Sequence, residues 1–121
     1  MDYSAFVQKA LAKDRRNKFD CYEGSLDAVP EVMRSFYRFC NPLDVELPHD
    51  GTSIRFFPVE ELESLREEYS PQNGEFIFAS CNGDPIWCHE GKVYTGLHGT
   101  KESQWELLEE KVEDFLASLV D

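Results

Sequence analysis

The side chains able to bind a metal, or to act as nucleophile and base, fall largely in one stretch of the chain. Cys81, Cys88, His89 and His98 carry the soft and borderline donors that zinc takes. Their C-x6-C-H-x8-H spacing lacks the close pairs of a structural zinc site, and on a strand the neighbours Cys88 and His89 point to opposite faces. No metal ligands are assigned. Ser80, Asp84 and His98 have the residue types of a hydrolytic set, yet the strained G-x-S-x-G turn that exposes a nucleophile is absent, as is a Walker-type glycine loop. The expectation is a chain with no catalytic residue, no metal and no cofactor. The same stretch offers Asn82-Gly83-Asp84, polar groups at a tight turn where backbone amides and carbonyls can meet a partner, or simply close the turn.

The elements that position these residues follow from periodicity. Phe6, Val7, Ala10 and Leu11 predict a short helix, stopped by the polar cluster Lys13 to Lys18. In LDAVPEVMRSFYRFCNP, Val29, Met33, Phe36, Tyr37 and Cys40 share one helical face; Pro30 suits the first turn and Asn41-Pro42 the stop. Leu43 to Leu47 alternates as a half-buried strand, Pro48-His-Asp-Gly51 turns, and TSIRFF returns, which predicts a hairpin. From Pro58 the period becomes helical, with Val59, Leu62, Leu65 and Tyr69 inward and Glu60 and Glu61 in the first turn, where the dipole favours acids. Phe76 to Ala79 is a continuous apolar run, expected of a central strand covered on both faces.

Asn82-Gly83-Asp84-Pro85 and Glu90-Gly91 are turn signals, so Ile86 to Cys88 and Lys92 to Leu97 complete a three-stranded meander. Ser103-Gln-Trp-Glu106 reads as a capping box opening a long amphipathic helix, with Trp105, Leu108, Val112, Phe115, Leu116 and Leu119 as its apolar stripe. The expected fold is α+β, a single domain with a largely antiparallel sheet of about five strands packed with helices.

Charge narrows the partner classes. The chain has 121 residues, long enough for a core without disulfides or structural metal, with sixteen aromatics to fill it. Its formal net charge is −12, and the acidity is uneven: residues 1–41 carry seven bases and six acids, whereas residues 42–121 carry five and eighteen. Such a surface repels phosphate backbones and anionic lipids and speeds encounter with basic partners, so direct nucleic-acid and membrane binding are not expected. Acidic surfaces also simply keep proteins in solution. The N-terminal run MDYSAFVQKALAKDRR lacks a basic n-region and an unbroken apolar core, and no uncharged stretch approaches the roughly 20 residues that span a bilayer. The cytoplasm is the expected compartment, with the four cysteines reduced.

Three segments carry a family resemblance: VPEVMRSFYRFCN, RFFPVEEL, and FIFASCNGDPIW followed by VYTGLHG and a helix ending EDFLASLV. Together they resemble the SUKH superfamily, which includes fungal cell-wall-synthesis regulators and many bacterial immunity proteins. The resemblance covers roughly residues 26–120; it divides the chain into an N-terminal helix and connector, 1–25, and a SUKH-like α+β region, 26–121.

The resemblance implies a non-enzymatic binding role, often neutralisation of a toxin that is itself a basic nuclease. A regulatory or scaffolding domain is the alternative, and a small enzyme with a dispersed site a third. The expected partner is a basic protein, and the expected state a monomer or weak homodimer. Candidate partner-binding residues are Glu60, Glu61, Asn82, Gly83, Asp84, Trp87, Tyr94 and His98. Trp87 and Tyr94 compete between an exposed aromatic anchor and the core, and the acids between landing charges and ordinary solvated helix faces.

Overall fold

Alternating apolar and polar residues punctuated by X-Gly pairs build most of the sheet. The computed structural model describes residues 1–69, 74–96 and 104–121. In chain order the elements are α1 (Tyr3–Lys13), β1 (Lys18–Asp20), α2 (Glu31–Cys40), β2 (Asn41–His49), β3 (Thr52–Phe56), a 3-10 turn (Val59–Glu61), α3 (Leu62–Tyr69), β4 (Phe76–Cys81), β5 (Asp84–His89), β6 (Lys92–Thr95), β7 (Glu106–Glu109) and α4 (Val112–Val120). The strands form one antiparallel sheet in the order β1-β2-β3-β4-β5-β6-β7. The fold is α+β. Three two-residue hairpins, Asp50-Gly51, Asn82-Gly83 and Glu90-Gly91, have positive φ at both central positions, the backbone whose twist matches paired strands. All three fall on turns expected from the sequence.

One face of the sheet carries α1, α2 and α4. Phe6, Met33, Phe36, Phe56, Phe78 and Phe115 sit in a continuous core there, their rings meeting at tilted and edge-on angles. The opposite face carries α3 over Phe57, Ile77 and Trp87. β4 lies fourth of seven, and its unbroken apolar run is explained by this double coverage: Ile77 faces α3 while Phe78 and Ala79 face the other helices across a bulge. No helix among the described residues is long and apolar enough to cross a membrane.

The two buried polar residues among those described are asparagines with both amide functions used. Asn17 donates to Ala10 O at 3.0 Å and accepts from Glu46 N at 2.9 Å, tying the end of α1 to β2. Asn41 follows α2 without a loop and reaches the 3-10 turn, as described below. Such satisfied groups fix which elements meet, because a stranded buried amide is costly.

Two sequence expectations are corrected. Among the described residues the sheet has seven strands rather than about five, because β1, a three-residue edge strand with charged ends, has too little periodicity to stand out and the run that forms β7 fits a helix equally well. The C-terminal helix is short. Glu106–Glu109 pairs with β6, and only Val112–Val120 is helical, started at Lys111 without a side-chain cap. Trp105 locks this choice by packing edge-on to Trp87 and His89 at centroid distances of 5.1 and 5.2 Å, so tertiary pairing overrides the helical preference of the Glu- and Leu-rich run. Glu106 therefore serves a strand, and Ser103 of the expected capping box lies outside the described residues.

Burial has a consequence at high pH. Cys40 donates to Phe36 O at 3.1 Å, and burial, with Cys21 nearby, pushes its thiol up to about 12; Tyr37 beside it is raised by burial as well. A folded value above the unfolded one, about 8.5 for a thiol, means stability that is complete below pH 8 and lost as pH rises toward 12. The urea midpoint should fall between pH 8 and 9.5 by the equivalent of about 1 kcal/mol for Cys40 alone. Cys40→Ala should flatten that slope; an unchanged slope contradicts the assignment.

Candidate partner-binding site

The acidic helix is held at both ends. After β3, Phe57 N donates to Phe78 O at 2.9 Å, Pro58 redirects the chain, and Glu61 N closes the 3-10 turn on Pro58 O at 3.0 Å. Asn41, 1% exposed, accepts from Val59 N through Oδ1 and donates from Nδ2 to Glu60 Oε1, both at 2.9 Å. Arg55, its guanidinium 5.2 Å from the Phe57 ring centroid, pairs with Glu61 at 3.3 Å. At the far end the Tyr69 hydroxyl donates to Gly83 O at 3.2 Å. Leu65 between them is buried against the sheet. The outward residues Glu60, Glu63, Glu67 and Glu68 are exposed, and Glu68 and Asp84 add to burial in raising the Tyr69 phenol. A predominantly acidic ridge, interrupted by the exposed Arg66, thus runs along α3 to the β4–β5 turn.

Beside this ridge, between α3, the segment 25–29 and the start of β4, lies a cleft of about 290 Å³. Its floor is Val29, Leu65, Phe76 and Ile77; Ser25 and Ala28 form one lip, and Glu63, Arg66 and Glu75 stand around the mouth. The outer wall is fixed by α2: Arg34 Nε donates to Val29 O at 2.9 Å, and Arg38 Nη1 to Tyr22 O and Gly24 O at 2.7 and 3.0 Å. The floor is braced by Tyr37, edge-on to Phe76 at 6.2 Å. No family model, curated protein or solved structure matches this chain. A second hollow of about 250 Å³ is polar, lined by Asp14, Arg16, Asn17, Asp44 and Glu46, with Asp14 paired to Arg16 at 2.9 Å. Among the described residues no three His, Cys, Asp or Glu side chains converge as metal ligands.

The residues singled out from the sequence divide into three groups. Glu60 and Glu61 stand at one end of α3 and Asn82, Gly83 and Asp84 at the other, and the first four have structural tasks. Asn82 Oδ1 accepts from Thr52 Oγ1 at 2.9 Å, joining the two turns at that end of the sheet, while Asp84 is exposed and carries its charge outward. Trp87 is not an anchor: at 1% exposure it is the centre of the smaller core, because it alternates with Ile86 and Cys88 onto the α3 face. Tyr94 is half-buried, 5.3 Å from the Trp105 ring. His98 lies outside the described residues.

Missing from the sequence reading were Asn41, known there only as a helix stop, Arg55, and the whole cleft. The Asn-Pro after α2 signals a sharp join, but nothing local says that its amide reaches residues 59 and 60.

Proposed function

We propose that this chain is a protein-binding domain of the immunity type, which neutralises a basic toxin protein by docking it against the acidic α3 face. The observation that carries the reading is the ridge itself: a helix anchored to Asn41, Arg55 and Gly83 presents Glu63, Glu67 and Glu68 from a fixed backbone, with Asp84 exposed beside its far end at the start of β5. A preorganised, predominantly negative field raises the encounter rate with a cationic surface and supplies carboxylates for charge-assisted bonds to its arginines. The resemblance of VPEVMRSFYRFCN, RFFPVEEL and FIFASCNGDPIW to the SUKH superfamily supports the same reading.

Where a toxin-domain gene lies beside its own, co-expression of the two should restore growth to cells making the toxin and the pair should co-purify; absence of rescue by this chain argues against the immunity role. Reversal of Glu63 and Glu67 to Lys, which spares the two structurally engaged acids Glu60 and Glu61, should slow association about tenfold at low salt and leave dissociation nearly unchanged. Stopped-flow rates that ignore both the reversal and added salt argue against docking on this face.

A further inference from the structure

The cleft beside α3 has an apolar floor and opens along the acidic helix. We infer that it is the receptor for a single large apolar side chain, Phe or Leu, carried by the partner between cationic residues. This rests on the basic-partner reading above and adds where and how such a partner is anchored.

Size and rigidity give the first argument. At about 290 Å³ the space is at the small end of ligand pockets, suited to one bulky side chain rather than an extended cofactor. Both walls are braced in the free protein, by the Arg34 and Arg38 bonds to segment 22–29 and by the Asn41 and Tyr69 anchors of α3, so little ordering is left to be done on binding.

Charge gives the second. Glu63 stands at the mouth beside Arg66, and the exposed Glu67 and Glu68 extend a predominantly acidic field along the same helix. An apolar group flanked by cations gains burial at its centre and Coulomb attraction from the acidic helix at its edges, whereas an anionic amphiphile finds Arg66 alone among the carboxylates of that helix. Apolar anchors seated in a pocket within a polar rim are where interfaces concentrate their energy.

The test uses the whole protein, labelled with ¹⁵N, titrated with three acetylated and amidated pentapeptides: Lys-Lys-Phe-Lys-Lys, Lys-Lys-Gly-Lys-Lys and Glu-Glu-Phe-Glu-Glu. The Lys-Phe peptide should shift the amides of Leu65, Phe76 and Ile77 and bind about tenfold or more tightly than its Gly counterpart, given the area a buried Phe removes from water. Ala28→Trp, on the exposed lip, should abolish this preference while the amides of the main core keep their positions. Glu63→Lys should weaken the Lys-Phe peptide about threefold or more.

Lysine peptides that bind along α3 equally with Phe or Gly overturn the cleft as anchor and leave basic docking standing. Equal or tighter binding of the Glu-Phe peptide overturns the cationic partner, and with it the functional reading. Shifts confined to other surfaces, or no shifts with any peptide, overturn the inference outright.

Discussion

Trp87→Ala should cost about 3–5 kcal/mol of folding stability, the range for removing a large aromatic from a close-packed core. Trp87 is the sheet-borne centre of the smaller core, against Phe57, Leu65 and Ile77, and its ring meets Trp105 edge-on at 5.1 Å. Deleting it removes the floor under α3 and the docking surface of Trp105 together. Trp87→Phe should behave differently. The indole Nε1 is buried with no hydrogen-bond partner among the described residues, so replacing it sacrifices no bond seen there and relieves a desolvated donor; the volume difference remains, about 1–2 kcal/mol. Urea unfolding followed by circular dichroism measures both. If the Phe variant loses as much as the Ala variant, the indole donor has an acceptor and the account of this core is wrong.

Asn41→Ala should cost about 2–3 kcal/mol although it removes no apolar side chain. Its amide satisfies Val59 N and holds Glu60, and truncation leaves the Val59 amide without its acceptor beside a small void. Because these bonds fix where α3 begins, the loss is local as well as global: hydrogen exchange at Val59 and Glu61 should accelerate more than exchange in β4. Glu60→Gln keeps an acceptor for Asn41 Nδ2 and should stay within about 0.5 kcal/mol of the parent. If Asn41→Ala were near neutral, or Glu60→Gln equally damaging, charge rather than hydrogen bonding would be holding the turn.

The contrast between these two positions shows what a one-dimensional reading can reach. The hairpins were visible because Asp50-Gly51, Asn82-Gly83 and Glu90-Gly91 meet a local backbone requirement, and the double-sided burial of β4 was visible in four consecutive apolar residues. α2 and α3 were visible because their inward residues recur at helical spacing. Residues 106–109 were not, since Leu107 and Leu108 among glutamates fit either state until β6 supplies an open edge and Trp105 finds its nest. β1 depends in the same way on β2. At the site, the acids of α3 were legible as charge. Which of them are engaged by Asn41 and Arg55, and the cleft whose walls come from segment 25–29, α3 and β4, depend on contacts between distant parts of the chain.

The order of strand pairing gives α3 a kinetic meaning. β2–β3 and β4–β5–β6 are each closed by two-residue turns and can zip up separately, whereas β3 must find β4 across the segment that contains α3. That seam divides the sheet into two pieces, and α3 is a clasp across it, fastened to Asn41 on one side and to Gly83 on the other. A protein seated on the clasp has to leave before the seam can part, so the complex would open more slowly than either of its members alone.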